Sequence, residues 1–598
     1  MECGLRVLMG RWGMAMVCGV VLWLGAGCSA TIEPLERAEY PLPEDVDIAP
    51  GEPGRRGGIF VMAESQQPRH FHPLVDSDAY TSMAIAYFTN GLVTRDPVTD
   101  EFIGALARDW EVGEDGLTYT FHLRRGVRWS DGEPFTADDV IFTFDAIYDP
   151  RYPNRSAQQY RINGEPFAYR KIDRYTVEFR TPDIYAPFIN DIGWATIVPR
   201  HILGEAFADG TFQEVWTSET GIHEPEKLVG TGPFRIRSYR PGERIVYEAN
   251  PHYWRADTAG QRLPYIDYLI LRFVPDQNTQ TILFATGQTD YAAISPSDLD
   301  WVRRTADVYD FSLYDRGPAT GISFIWFNLH PGATEEGTPF VPPHKLAWFS
   351  NRYFRHAIAH GIDRPGLIRA AFFGRGEPLH SIISPANLRW HNPQTVRYDY
   401  DPERARQILL EQGFVYRGNQ LFDAEGNRVE FSLSLSQGTQ MTEGLSNTFR
   451  ENMRSIGIEV TIRTFDFGAL IQRISQTFRY EAASIGFTGG GDPSGGKAIY
   501  RSDGHLHLWH PSQPEPATEW EARIDAIMDA QERELDLARR QALIFEMQDI
   551  FAEELPLIFL VTPNTYAGLK NRWRNLRIPP VGALIWNLDE LWAEVDDD

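Results

Sequence analysis

A chain of 598 residues with 42% hydrophobic and 13% aromatic content can bury large cores, and such a length predicts about two to four domains. Its formal net charge of −25 disfavours nucleic acid and anionic membrane surfaces as partners. All three cysteines, Cys3, Cys18 and Cys28, stand near the start, which excludes a disulfide framework, a thiolate metal site or a cysteine nucleophile from the rest.

Arg6 and Arg11 precede an apolar run from Met14 to Leu24, followed by Gly25, Ala26, Gly27 and Cys28. The run is shorter than the roughly 20 residues a membrane-spanning helix needs, and small residues before a cysteine suit a signal peptidase. The pattern resembles a bacterial lipobox, whose cysteine takes a diacylglycerol and begins the mature protein. It departs from the motif in one place: Gly25 stands where a leucine is usual, with Leu24 one residue earlier. Residues 1–27 are therefore expected to be a lipoprotein signal peptide and Cys28 the lipid attachment point. Residues 28–56, rich in Pro, Glu and Asp without hydrophobic periodicity, predict a disordered tether.

Beyond it, strand-like and helix-like patterns alternate and no repeat appears, which predicts mixed α/β layers. Gly116–Leu123 alternates as a strand, with Tyr119 and Phe121 on one face. Asp131-Gly132 predicts a turn. Thr136 is placed to cap a helix whose first turn holds Asp138 and Asp139. Asp401 and Pro402 open another helix, which Gly413 ends. Val429–Leu435, Glu443–Ser455 and Ile458–Ile462 read strand, helix, strand, an order that predicts a parallel pair. Phe551–Val561 reads as a buried extended run.

Five stretches resemble one family, the bacterial extracellular solute-binding proteins of family 5, which serve peptide and nickel ABC importers. They are Ala105–Asp145, then Val229–Ile236 with Asn250–Trp254, Ser350–Ile368, Asp401–Phe414 and Val581–Trp592. They follow the family order and span nearly the whole chain after the leader. The resemblance implies an α/β fold, a two-lobed clamp of the periplasmic-binding-protein type II class with an additional inserted domain. Lobe I would combine 57–90, 226–312 and 553–598; domain II, 91–225, would be inserted into it; lobe II would be 313–552. Two crossing strands, near Leu313–Thr320 and Glu554–Thr562, would form a hinge.

The implied function is capture of a peptide or peptide-like solute outside the cytoplasmic membrane, by a monomer that closes on it and delivers it to the permease subunits of an ABC importer. No catalysis, cofactor, metal or nucleic acid is implied. Peptide-binding relatives anchor the ligand's amino terminus with an acid after a strand of the opposing lobe. The matching stretch, Ala483–Gly496, has Phe487 and Thr488 at the strand end, then Gly489, Gly490 and Gly491 where the acid belongs, then Asp492. Either Asp492 supplies the charge or the ligand lacks a free amine there. The loop His72–Asp78, with Asp76, Ser77 and Asp78, and the run near Phe559 are expected to border the cleft.

Other chemistries are weighed against this. Gly491–Ala498 nearly spells a phosphate-binding loop, but Ala498 replaces the hydroxyl that would hold Mg²⁺. His356 and His360 share a helical face, and His505 and His507 would share a strand face in a stretch that ends at His510. Such pairs can bind a metal, and a nickel or haem role is one alternative, but packing is the simpler reading because no third ligand can be placed. Abundant tryptophans, Trp110, Trp129 and Trp254 among them, fit core packing better than stacking on an oligosaccharide. No G-x-S-x-G or H-E-x-x-H motif points to a hydrolase. A sensor or adhesion lipoprotein that kept the clamp without transport is the remaining alternative.

Overall fold

Period-two alternation builds three larger sheets. The computed structural model describes residues 35–75, 78–152, 155–438, 440–489, 491–580 and 582–594. Contact density divides the chain into Met1–Arg37, of which only 35–37 are described, and Ala38–Asp598, which holds every element named below.

The largest sheet has eight strands drawn from distant parts of the chain. Its order is Phe234–Arg240, Arg244–Ala249, Tyr268–Phe273, Ile59–Glu64, Tyr291–Ile294, Val561–Lys570 and Phe311–Pro318, with Gly376–Pro378 pairing on Val561–Lys570. A four-stranded antiparallel sheet joins Ala107–Val112, Thr118–Leu123, Thr176–Arg180 and Ala168–Asp173. Tyr119 and Phe121 are buried on one face of it, as their alternation predicts. Thr136 and Asp139 cap the helix Ala137–Tyr148 reciprocally, satisfying amides that the first helical turn leaves without partners.

The third sheet has five strands in the order Glu459–Phe465, Glu430–Ser436, Ala482–Phe487, Ile322–Phe327 and Ile558–Phe559. Glu430–Ser436 and Glu459–Phe465 are parallel and are joined by the helix Gln440–Ser455, the strand–helix–strand unit that the sequence predicts. Strand Ile322–Phe327 has apolar side chains on both faces. Ile325 and Phe327 enter one core cluster with Phe349 and Phe431; Phe324 and Trp326 enter another with Trp509 and Phe551. A strand apolar on both faces is one covered on both sides.

Two short connections link the five-stranded sheet to the eight-stranded one. The chain passes from Pro318 to Ile322 and returns from Phe559 to Val561. Ala319 N–H donates to Pro563 O at 2.8 Å, and Leu560 N–H to Ser323 O at 2.9 Å, so the crossings are bonded to each other.

Three expectations are corrected. The tether reading fails for part of its length, because Asp47–Ile48 forms a strand parallel to Arg255–Ala256 and Ala49 is buried. Asp47 pairs with Arg124 and Arg255, and Arg262 donates to the Tyr40 and Pro41 carbonyls. An acidic, proline-rich segment looks solvated in composition, but here its charges have partners far along the chain. Phe551–Val561 is not extended throughout: the helix Leu537–Glu554 runs into it and ends at left-handed Leu555. The stretch from His505 to His510 forms turns, not a strand. Cys28 and the whole leader lie outside the described residues.

Candidate functional site

The central strands of the five-stranded sheet separate at one end. Glu430–Ser436 pairs with Ala482–Phe487 from Leu433↔Ala482 to Leu435↔Ser484 and no further. Past that point Ser436 and Gln437 stay with the strand Glu459–Phe465, while Ile485, Gly486 and Phe487 stay with Phe324, Ser323 and Ile322. One main-chain edge of Ile485–Phe487 is thus left without a strand beside it.

A cavity of about 380 Å³ opens in the gap. Leu433, Leu435 and Ile325 line it from the sheet, Leu445 and Phe449 from the helix Gln440–Ser455, and Leu560–Pro563 from the crossing strand. It lies at the carboxyl ends of parallel strands, the place where open α/β sheets bind ligands. Among the described residues no charged side chain lines it. Six hydroxyl residues do, and five donate to main-chain carbonyls: Ser323 to Val561, Ser436 to Gln437, Ser446 to Glu443, Ser484 to Phe324 and Thr562 to Gly321. Their protons are spent within the protein, and the surface they leave is close to apolar.

Phe487 and Ile322 line both this cavity and a second of about 180 Å³, which Thr320, Ile382, Asn387, Thr488, Gly489 and Asp492 also help to line; Phe487 is the one placed there by the sequence reading. Its ring lies 5.2 Å from that of Phe324. Gly489 sits where a Cβ would overlap the carbonyl of Thr320, so glycine is required there by close backbone approach. Asp492 caps the turn at Ser494 N–H (3.0 Å) and is gripped by Arg540, whose two terminal nitrogens lie 2.8 and 2.6 Å from its oxygens. Both groups are nearly buried, with side-chain exposures of 11% and 7%. The carboxylate is thus committed to a guanidinium.

Two of the remaining expected site residues, Asp78 and Phe559, are described and line neither cavity. Asp78 caps the helix Ala79–Ala86 through Thr81 N–H and binds Arg69 at 2.6 Å, lining neither cavity. Asp76, Ser77 and Gly490 lie outside the described residues. Phe559 is corrected as a ligand contact: its side chain is 1% exposed in the core, and its carbonyl accepts two hydrogen bonds from Arg364. The next four residues line the larger cavity instead. Sequence reasoning missed these and the helix residues Leu445, Ser446 and Phe449. The usable signal was the strand–helix–strand order, whose strand ends mark such a site.

The singled-out histidines sit in different surroundings, His507 buried and His505 exposed. His356 and His360 contact the carbonyls of Glu553 and Asp399 at 2.6 and 3.0 Å. His507 is buried beside Glu521, which also accepts from Trp509 Nε1 at 3.0 Å. Burial pushes the Glu521 carboxyl up, but the hydrogen bonds from His507, Trp509 and Thr518 outweigh it and hold the group at about 2. Among the described residues no group of three or more His, Cys, Asp or Glu is placed to hold a metal ion. Lys497, in the near-match to a phosphate loop, pairs with Glu532 at 2.8 Å.

Known proteins are similar to this chain in sequence and in fold. A di/tripeptide-binding protein of Pseudomonas aeruginosa is 26% identical over 545 residues, covering 86% of this chain and 92% of its own. The substrate-binding protein CtaP of Listeria monocytogenes superposes with a TM-score of 0.70 at 22% identity, over 87% of this chain and 95% of that one. The oligopeptide-binding protein AppA of Bacillus subtilis, solved with a nonapeptide, superposes at 0.66 with 21% identity, over 91% and 100%. These likenesses give the fold as that of the two-lobed, type II periplasmic binding proteins. The model of the bacterial extracellular solute-binding proteins, family 5, matches residues 101–504, more than half of the 598, and the chain belongs to that family.

Proposed function

We propose that this protein is the substrate-binding component of an ABC importer and that its solute is a peptide or peptide-like molecule. The observation that carries the reading is the unpaired main-chain edge at Ile485–Phe487, beside an uncharged cavity and next to the two crossings. Such an edge can pair with an extended ligand as an added strand, reading main chain while a neighbouring cavity reads a side chain. The crossings at 319–321 and 560 would act as the hinge. Lobe I, domain II and lobe II would follow the division expected from sequence, apart from the packed stretch at residues 38–56 and with the change of lobe moved to the crossings, because Phe311–Pro318 lies in the eight-stranded sheet and Ile558–Phe559 in the five-stranded one. A solute touching both lobes binds the closed form better and shifts the population towards it. No bond is made or broken.

Native mass spectrometry of the purified protein tests this directly. A co-purified short peptide, and tight calorimetric binding of the same peptide, are expected. A co-purified oligosaccharide or metal complex, with no binding across a peptide library, would overturn it.

The site of action is outside the cytoplasmic membrane, on the periplasmic or cell-surface side. In this reading membrane attachment is assigned to a lipid on Cys28, which follows the small residues Gly25, Ala26 and Gly27. Cys28→Ser is expected to move the protein from the membrane fraction to the soluble fraction; continued tight membrane association would remove the anchor.

A further inference from the structure

The uncharged cavity also bears on which solutes the protein accepts. An engineered apolar cavity of about 150 Å³ admits a benzene molecule. This one, at about 380 Å³, has room for more than a single ring. Phe467, 62% exposed, borders it, and a phenyl group left this open to water gains by being covered. Among the described residues its lining has no charged side chain, and five of its six hydroxyl protons are already donated to backbone, so these residues offer a cation or carboxylate no ionic partner. Burying an unpaired charge there is strongly unfavourable. Side chains of an added strand point alternately to opposite sides, so a ligand paired along Ile485–Phe487 would turn one of two successive side chains towards the cavity.

We propose that this cavity is a specificity subsite for a bulky, uncharged apolar group of the solute, an aromatic or branched aliphatic side chain when the solute is a peptide. The peptide clause rests on the function proposed above; the apolar selectivity does not. Ser446 is the residue through which to test it. It faces the cavity from the helix Gln440–Ser455, is 9% exposed, and its hydroxyl bonds only Glu443 O in its own helical turn. Replacing it fills the cavity without leaving a distant partner unsatisfied.

The experiment is calorimetry on the full chain with two probes. The first is indole, a neutral aromatic that needs no main-chain pairing. The second is an alanine tetrapeptide series with Phe, Leu, Lys or Glu at each position in turn. Indole is expected to bind, and Ser446→Phe to weaken it by about tenfold or more. At one peptide position Phe and Leu are expected to bind about tenfold or more tighter than Ala, a difference of the size that apolar pockets achieve, with Lys and Glu weaker than Ala. Ser446→Phe should erase that preference, bringing Phe and Leu at that position to within about threefold of Ala. Ser446→Leu, a smaller filling, should give the same pattern in part and serves if the Phe variant melts early. No indole binding, a peptide preference that survives both substitutions, or tight binding of Lys or Glu at the favoured position would overturn the subsite. Indole binding that both variants block, with no peptide bound at any position, would leave the apolar subsite standing and sink the peptide reading.

Discussion

Asp492 shows how one side chain can look available in sequence and be committed in space. It follows three glycines at the place where an acid was sought, yet Arg540 holds both its oxygens and Gln531 supports Arg540 in turn. Removing one partner of a buried ion pair typically costs about 3–5 kcal/mol, because the other charge is left desolvated. Asp492→Asn should therefore destabilise the fold by an amount of that order in urea denaturation. A variant that kept its stability but bound ligand more weakly would return Asp492 to the ligand. The same neighbourhood rules out the obvious repair. An acid at position 489 would drive its Cβ into the Thr320 carbonyl, and even Gly489→Ala would meet that clash. Sequence could show that the acid is missing; only the chain crossing at Thr320 shows why it cannot be restored there.

At the scale of elements, strand Ile59–Glu64 ends on a carboxylate with a physical cost. Burial near Tyr87 and Tyr291 pushes Glu64 from its usual 4.5 up to about 7. Below the lower value both folded and unfolded chains hold the proton. Between the two values the unfolded chain has lost a proton that the folded chain keeps, so stability falls as pH rises towards 7 and levels off above it. Glu64→Gln removes the charged form. It should melt higher than the parent at about pH 8 and close to it at about pH 4 in paired thermal melts. An equal shift at both pH values would mean that the carboxyl is solvated. Elements with strong local signals were legible: the Thr136 cap, the Asp401-Pro402 helix start, and the strand–helix–strand unit from residue 430 to 465. Those that were misread take their structure from distant partners. Asp47 is ordered by Arg124 and Arg255, and the turns around His507 are ordered by Glu521. Neither partner leaves a trace in local periodicity.

For the whole molecule, family membership was readable because its framework stretches are long and keep their order. The cavity was not, because residues between 319 and 563 assemble it and its defining feature is that Glu430–Ser436 and Ala482–Phe487 stop pairing beyond Ser484. Sequence patterns report what pairs and what is buried, and they carry little about where two strands part.

The paired crossings have a consequence for how such a protein can change over generations. The chain leaves the eight-stranded sheet at Pro318 and re-enters it at Val561 through adjacent doorways, with Ser323 and Leu560 hydrogen-bonded at the threshold, and between them it lends that sheet the short strand Gly376–Pro378. A single uninterrupted stretch of gene therefore encodes the portion that carries the large cavity's helix and strand ends. Recombination at two neighbouring points could exchange that cassette for a relative's and alter what is recognised, while the scaffold that receives it keeps seven of its sheet's eight strands and takes only the short edge piece at Gly376–Pro378 from the newcomer.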